Sequence, residues 1–241
     1  MKRGQISVFI ILAIVILGAI ILFFLAQQNI INLLPGVDAQ VKPVYSFVES
    51  CIQQTSEDAI QHISENGGYY IPPNNSLFNG IPIYFNKGET NLLTTQQLEQ
   101  QLSDYMDEML FFCTQNFIEF QDFEIQQNQI KTTTEIKENK ITFNINYPLS
   151  ISKEQKTYTF EDFKIEIPAN LFKVHQTANQ IIEQQKEFPE DICITCLEKF
   201  AIDNQLIIEM RDFQESVIFS ITDVNSKIND KELIFYFANK Y

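Results

Sequence analysis

The sequence has few of the residues that most enzyme sites use. It contains only two histidines, His62 and His175, and only seven glycines. Two imidazoles support no Ser-His-Asp or Cys-His set, and with a single C-x-x-C they support no zinc site. The scarce glycines form no Gly-rich phosphate loop. The sequence therefore predicts no catalytic, cofactor-binding or metal-binding residue, and no enzyme.

Positive charge is also scarce. Arg occurs only at Arg3 and Arg211, and 17 Lys and Arg stand against 31 Asp and Glu, which gives a formal net charge of −14 at pH 7. All of the acids follow Leu34. Such a surface repels phosphate backbones, so no nucleic acid is expected as a partner. A well-solvated exterior explains the charge, and so does a cationic partner or loosely held cations; both interpretations stay open.

One long apolar run stands near the N-terminus. Residues 6–26 carry no charge, and as a helix they would span about 31 Å, the thickness of a bilayer's hydrocarbon core. Lys2 and Arg3 precede the run, so the positive-inside rule predicts a cytoplasmic N-terminus. The sequence thus predicts a single-pass protein of the cell membrane. Its parts are a basic stub at 1–5, a transmembrane helix in the lipid bilayer at 6–26, a linker at 27–42 and an extracellular domain at 43–241.

The residues at the start of the apolar run carry a family resemblance. The stretch Lys-Arg-Gly-Gln-Ile-Ser at 2–7, followed directly by the run, resembles the class III signal peptide of archaeal type IV pilin-like proteins. The resemblance implies that a prepilin-type peptidase cuts between Gly4 and Gln5, where glycine lets the backbone enter a narrow site. Many members of that family carry Glu where this chain has Phe9, a departure that weakens the case for filament assembly. An uncleaved signal anchor is the alternative.

Hydrophobic spacing in the rest of the chain predicts an α+β fold in which helices pack on antiparallel sheet. Three- and four-residue steps predict helices at 42–65, from Thr94 or Thr95 to Cys113, at 170–187 and at 193–201. A division into two domains near residue 148 is left open. The predicted strands occupy 69–71, 81–85, 130–136, 140–147, 158–160, 163–167, 205–210, 216–221 and 233–237.

Four cysteines follow the apolar run, an even number that suggests disulfides in an exported domain. We favour a bond between Cys51 and Cys113, because each lies on the apolar face of a predicted helix and the two helices could pack. Buried, reduced cysteines are the alternative. Cys193 and Cys196 form a C-x-x-C that we interpret as a local structural disulfide. Reduced core thiols and a redox-active pair stay open, although the acids just before the motif work against a reactive thiolate.

The remaining signals concern the cell surface. Asn74 opens an Asn-Asn-Ser sequon in a turn-rich loop and is a candidate glycosylation site. The leading hypothesis is a non-catalytic cell-surface structural or binding protein with a pilin-like N-terminus. The alternatives are a membrane-anchored thiol-disulfide protein that uses Cys193 and Cys196, and an accessory subunit of a membrane complex. Self-association or a membrane-complex partner would use the apolar run as its interface.

Overall fold

A computed structural model of the chain describes residues 37–78 and 80–241. Within it, Gln40–Tyr241 form one compact unit. Gly4, Gln5 and the apolar run at 6–26 lie outside the described residues.

The predicted fold class is wrong as stated, because it joined a transmembrane helix to an α+β domain. The described residues do have an α+β architecture, but none of their helices is both long enough and apolar enough to cross a membrane. The helices Lys42–Glu65 and Leu171–Glu187 each bury one stripe of side chains and leave the opposite face polar, which is typical of helices that pack on a protein core.

Helix α1 (Lys42–Glu65) has the bounds that its hydrophobic spacing predicts. The helix stops because Gly67 (φ +53°) and Gly68 (φ +88°) follow it, and the Gly68 N–H donates to the Ile63 carbonyl at 2.7 Å. A Cβ at Gly67 would lie 2.4 Å from the carbonyl oxygen of Tyr236. The glycine pair therefore ends the helix and also lets the chain approach the last strand.

Helix α2 (Thr95–Thr114) begins with a capping box. The Gln97 N–H donates to Thr94 Oγ1 at 3.2 Å, and the Thr94 N–H donates to Gln97 Oε1 at 2.8 Å. Two of the helix's otherwise unpaired N-terminal groups are satisfied in this way, which fixes its start at the predicted position. A 3₁₀ turn (Gln115–Phe117), helix α3 (Leu171–Glu187) and helix α4 (Ile194–Asn204) complete the described helical segments.

The described strands form two sheets. In chain order they are β1 (Ile83–Asn86), β2 (Glu89–Thr90), β3 (Glu124–Gln127), β4 (Lys131–Ile136), β5 (Lys140–Lys153), β6 (Lys156–Pro168), β7 (Ile207–Phe213), β8 (Ser216–Ile228) and β9 (Lys231–Lys240).

One sheet has the order β2-β1-β9-β8-β7, in which β1 runs parallel to β9 and the other neighbours are antiparallel. The second sheet is built around β5. Strand β6 pairs along one edge of β5, while β4 and then β3 pair along its other edge. Helix α1 contacts β9 of the first sheet and β6 of the second, so the two sheets share one core.

Aromatic rings fill the first sheet's part of that core. The Phe237 ring stacks on Tyr84 and on Phe219, with centroids 5.0 Å apart in each pair, and all three side chains are buried. Offset stacks of this kind contribute about 0.5–1.5 kcal/mol each beyond the area that they bury.

Several predicted strands differ from the observed ones. The segment 69–71 is a bend, because the Tyr70 N–H donates to Gln101 Oε1 on α2 at 2.8 Å instead of to a neighbouring strand. The strand predicted at 140–147 continues through Pro148 to Lys153, with a register shift against β6 between Asn146 and Leu149. The domain boundary considered near residue 148 thus falls inside a strand.

Candidate functional site

The first cystine joins α1 to α2. Cys51 and Cys113 form a disulfide with Cα atoms 5.7 Å apart, which confirms the favoured pairing. Cys51 is 3% exposed and lies in the apolar stripe of α1, so the bond is part of the packed interface between the two helices. Its position makes it a structural clamp.

The second cystine lies where α4 begins. Cys193 and Cys196 are disulfide-bonded with Cα atoms 5.2 Å apart, and Cys193 is the N-cap residue of the helix. Both are half-buried, and Ile194 between them is 57% exposed, so the bond is accessible from solvent. A helix N-terminus stabilises a thiolate, whereas the neighbouring acids Glu190 and Asp191 oppose one.

A broad groove runs beside α2. It encloses about 820 Å³ between one face of α2, the bend that carries Tyr70 and Ile71, and the connection from β3 to β4. Ile71 is 74% exposed and Phe111 is 43% exposed, so its walls are partly apolar. The side chains that line it are Tyr70, Ile71, Asp104, Asp107, Glu108, Phe111, Gln127, Asn128, Gln129 and Ile130.

The groove is negatively charged, because three of its lining residues are carboxylates and none is a Lys or Arg. Burial and then the neighbouring Glu108 carboxylate raise the pKa of Tyr70 to about 12. Burial also raises the pKa of Asp107, against the lowering effect of the hydrogen bonds from Thr132, and the charge of Asp104 adds to the rise. A cation in the groove would relieve this repulsion, so the site suits a positively charged group held beside apolar side chains.

Alongside the groove, α2 side chains cover the free edge of strand β4. Asp107 Oδ1 accepts from the Thr132 N–H at 2.6 Å, Ser103 Oγ from the Thr134 N–H at 3.1 Å, and Glu99 Oε1 from the Ile136 N–H at 2.9 Å. The three α2 residues are four apart and so lie on one helix face, while alternate strand residues present their N–H groups to it. The edge is therefore closed to pairing with another strand.

The other residues singled out in the sequence lie apart from this groove or at its rim. Asn74 lies in an exposed turn, as its sequon predicts, and the sugar remains a prediction. His62 Nε2 lies 3.0 Å from the Tyr70 carbonyl, and its ring packs 5.2 Å from that of Tyr105. His175 is 1% exposed and donates from Nε2 to the Leu93 carbonyl at 2.8 Å, and burial lowers its pKa.

The groove was not predicted from the sequence. Asp104, Asp107 and Glu108 look like the solvated face of a helix, and the only local sign of a different role was the run of two aromatic residues, Phe111 and Phe112, that follows them on α2. Phe112 is 57% exposed and Phe111 lines the groove. Exposed aromatics on a helix that also carries a carboxylate cluster are a signal for a binding surface.

Comparisons with known proteins add no relative. No family model matches the chain, and no curated protein and no solved structure has a significant match to it. Among residues 37–78 and 80–241 there is also no group of three or more His, Cys, Asp or Glu that could hold a metal ion.

Proposed function

We propose that this chain is an exported, non-catalytic structural or binding protein of the cell surface whose N-terminus is matured like that of a type IV pilin. The observation that carries the proposal is the state of the cysteines. All four are paired in disulfides, Cys51 with Cys113 and Cys193 with Cys196. Structural disulfides form and persist mainly in oxidising compartments outside the cytoplasm.

The groove beside α2 supports a binding role. Its three carboxylates and its exposed Ile71 and Phe111 suit a Lys or Arg side chain that is flanked by apolar residues. The strongly acidic composition of the whole chain attracts such a partner over a distance. The partner is thus a cationic segment of another surface molecule, held in a groove whose walls are set by α2 and the β3–β4 connection.

The experiment is an intact-mass measurement on the full chain co-expressed with a prepilin-type peptidase, with and without reductant. We expect a product that lacks Met1 to Gly4 and gains the mass of four hydrogens on reduction. A Gly4→Val chain is the matched control, and it should keep its full length because a branched side chain does not fit the peptidase site. A parent chain that stays uncut would exclude pilin-like maturation. A mass that already includes the four hydrogens before reductant is added would exclude export to an oxidising compartment.

A second candidate function is thiol-disulfide exchange at the C-x-x-C. The observation that favours it is the position of Cys193 at the N-cap of α4, with an exposed residue between the two half-buried cysteines. In such a reaction a partner's thiolate attacks one sulfur of the Cys193–Cys196 bond, and the other sulfur leaves as a thiolate. Exchange with a model dithiol measures it. An unchanged rate in a Cys193→Ser chain would eliminate this function.

A further inference from the structure

Strand β7 forms an open edge of the five-stranded sheet. It is the last strand in the order β2-β1-β9-β8-β7 and pairs only with β8 among the described strands. No hydrogen bond from a described side chain reaches its backbone on the outer side, in contrast to β4. A free edge of seven residues presents a row of unpaired N–H and C=O groups that another strand can use.

One face of β7 is complementary to itself when two copies run antiparallel. If two copies pair about Met210, Glu209 of each stands opposite Arg211 of the other. In the same register Ile207 stands opposite Phe213. One face of the paired strands then carries two opposite-charge pairs flanked by two apolar pairs, the combinations that stabilise neighbouring strands.

Arg211 has no partner of its own within the described part of the chain. It is the only Arg there and forms no ion pair with any described carboxylate. Arginine is the residue that most often forms ion pairs at protein interfaces. An exposed Arg that stands between Met210 and Asp212 on an open strand is placed to meet a carboxylate from a second chain.

Apolar surface surrounds the same edge. Ile207 is 49% and Met210 is 39% exposed, and Ile202, on the helix that packs against β7, is 68% exposed. Phe78 is 65% exposed, and its ring centroid lies 4.6 Å from that of Phe213 at the end of the strand, with the two rings tilted. A groove of about 530 Å³ runs between these two rings, Arg211 and Tyr236. A second copy of β7 would cover part of this surface.

We propose that two copies of this chain associate by antiparallel pairing of their β7 strands about Met210, which joins the two five-stranded sheets into one. Four features carry the proposal: the unpaired edge, the Glu209–Arg211 complementarity, the unpartnered Arg211 and the apolar residues at both ends of the strand. Because the interface is a single strand with short flanks, the dimer is weak and reversible.

A cysteine placed at the two-fold axis tests the register. In the full chain, purified in mild detergent, Met210→Cys places two thiols opposite each other, with Cβ atoms about 5 Å apart. We expect a mild thiol oxidant to give a disulfide-linked dimer on a non-reducing gel. Ile208→Cys is the matched control on the same strand, because its two copies would lie about 13 Å apart. No dimer with Met210→Cys, or equal dimer with Ile208→Cys, overturns the proposal.

A charge swap in the Met210→Cys background tests the complementarity. Arg211→Glu places Glu opposite Glu twice, and we expect it to lower the yield of linked dimer roughly tenfold. Adding Glu209→Arg restores the opposite charges in reversed order, and the yield should return to the parent level. If the yield of linked dimer with both Arg211→Glu and Glu209→Arg stays as low as with Arg211→Glu alone, the pairing is not the one proposed. If the single swap has no effect, the charges do not face each other.

Discussion

The domain has two sides, one built on the four-stranded sheet and one on the five-stranded sheet. Each side contains one cystine, and the two cystines differ in position. On the four-stranded side, Cys51–Cys113 joins two helices that are far apart in sequence and lies in their packed interface. On the five-stranded side, Cys193–Cys196 closes a four-residue turn at the start of α4 and is accessible. One bond holds together two helices that are far apart in sequence, and the other constrains only a local turn.

The same contrast holds for the free sheet edges. The edge of β4 is covered by Glu99, Ser103 and Asp107 of α2, whereas the edge of β7 is bare. The β4 edge is therefore closed to strand addition, and the groove beside it is open to side chains. The five-stranded side offers its backbone and an accessible disulfide. The two sides of the domain therefore suit different kinds of contact.

The largest effect is expected from the clamp. In the chain-entropy model, a bond that closes a loop of 62 residues stabilises the fold by about 4 kcal/mol. We expect the Cys51→Ala/Cys113→Ala chain to lose about that much unfolding free energy in urea titrations, with a larger m-value because the uncrosslinked denatured chain exposes more surface. A loss of less than about 1 kcal/mol would mean that α1 and α2 pack without the bond, and the contrast between the cystines would disappear.

The next effect concerns the covered edge. Ser103→Ala removes the acceptor of the buried Thr134 N–H, and we expect a loss of about 1–3 kcal/mol, because an unsatisfied buried donor keeps its desolvation cost. Alanine is the better helix former, so a loss reports on the edge contact and not on α2 itself. The matched change on the open edge, Glu209→Ala, should stay within about 0.5 kcal/mol of the parent. Equal losses of unfolding free energy in the two variants would contradict the assignment of the β4 edge as covered and the β7 edge as open.

What could be predicted from the sequence follows the same division. The bounds of α1 and the Cys51–Cys113 pairing were predictable, because an apolar stripe repeats along the helix and Gly67-Gly68 ends it. The start of α2 was predicted only as Thr94 or Thr95, and the capping box of Thr94 and Gln97 in the structure decides between them. The groove was not predictable, because the residues of 127–130 meet α2 only through the pairing of β3 and β4 with β5. No local pattern encodes that meeting. The state of each sheet edge likewise depends on which strand is last in the order.

A smaller effect is expected at the exposed cystine. In the chain-entropy model its short loop stabilises the fold by only about 1.5 kcal/mol, so Cys193→Ala/Cys196→Ala should cost far less than loss of the clamp. Under limiting reductant, Cys193 and Cys196 should be the first thiols released, because access controls exchange. Alkylation followed by peptide mapping measures the order. Earlier labelling of Cys51 or Cys113 would show that the helix interface opens more readily than the structure implies.

The smallest expected effect concerns the pKa values of two carboxyl groups, one on each side of the domain. Burial raises the pKa of Asp223, but hydrogen bonds from Ser226, Asn170 and the Asn225 N–H, together with Lys173, outweigh it and leave the pKa below 3.8. Its ionised form is therefore favoured by folding. The stability that Asp223 contributes is present above pH 3.8 and is lost as the pH falls through its lowered folded pKa.

The pKa of Asp107 is shifted by folding in the opposite direction. Its folded pKa lies above 3.8, chiefly because of burial, so folding favours its protonated form. The stability from that preference is present below pH 3.8 and is lost as the pH rises through the raised folded pKa. Asp107→Asn should therefore gain stability relative to the parent as the pH rises, whereas Asp223→Asn should lose stability relative to it. Urea titrations of both variants from about pH 3 to pH 7 measure the two slopes. Slopes of the same sign would mean that the hydrogen bonds to Asp223 do not outweigh its burial, and that the two carboxyl groups are alike.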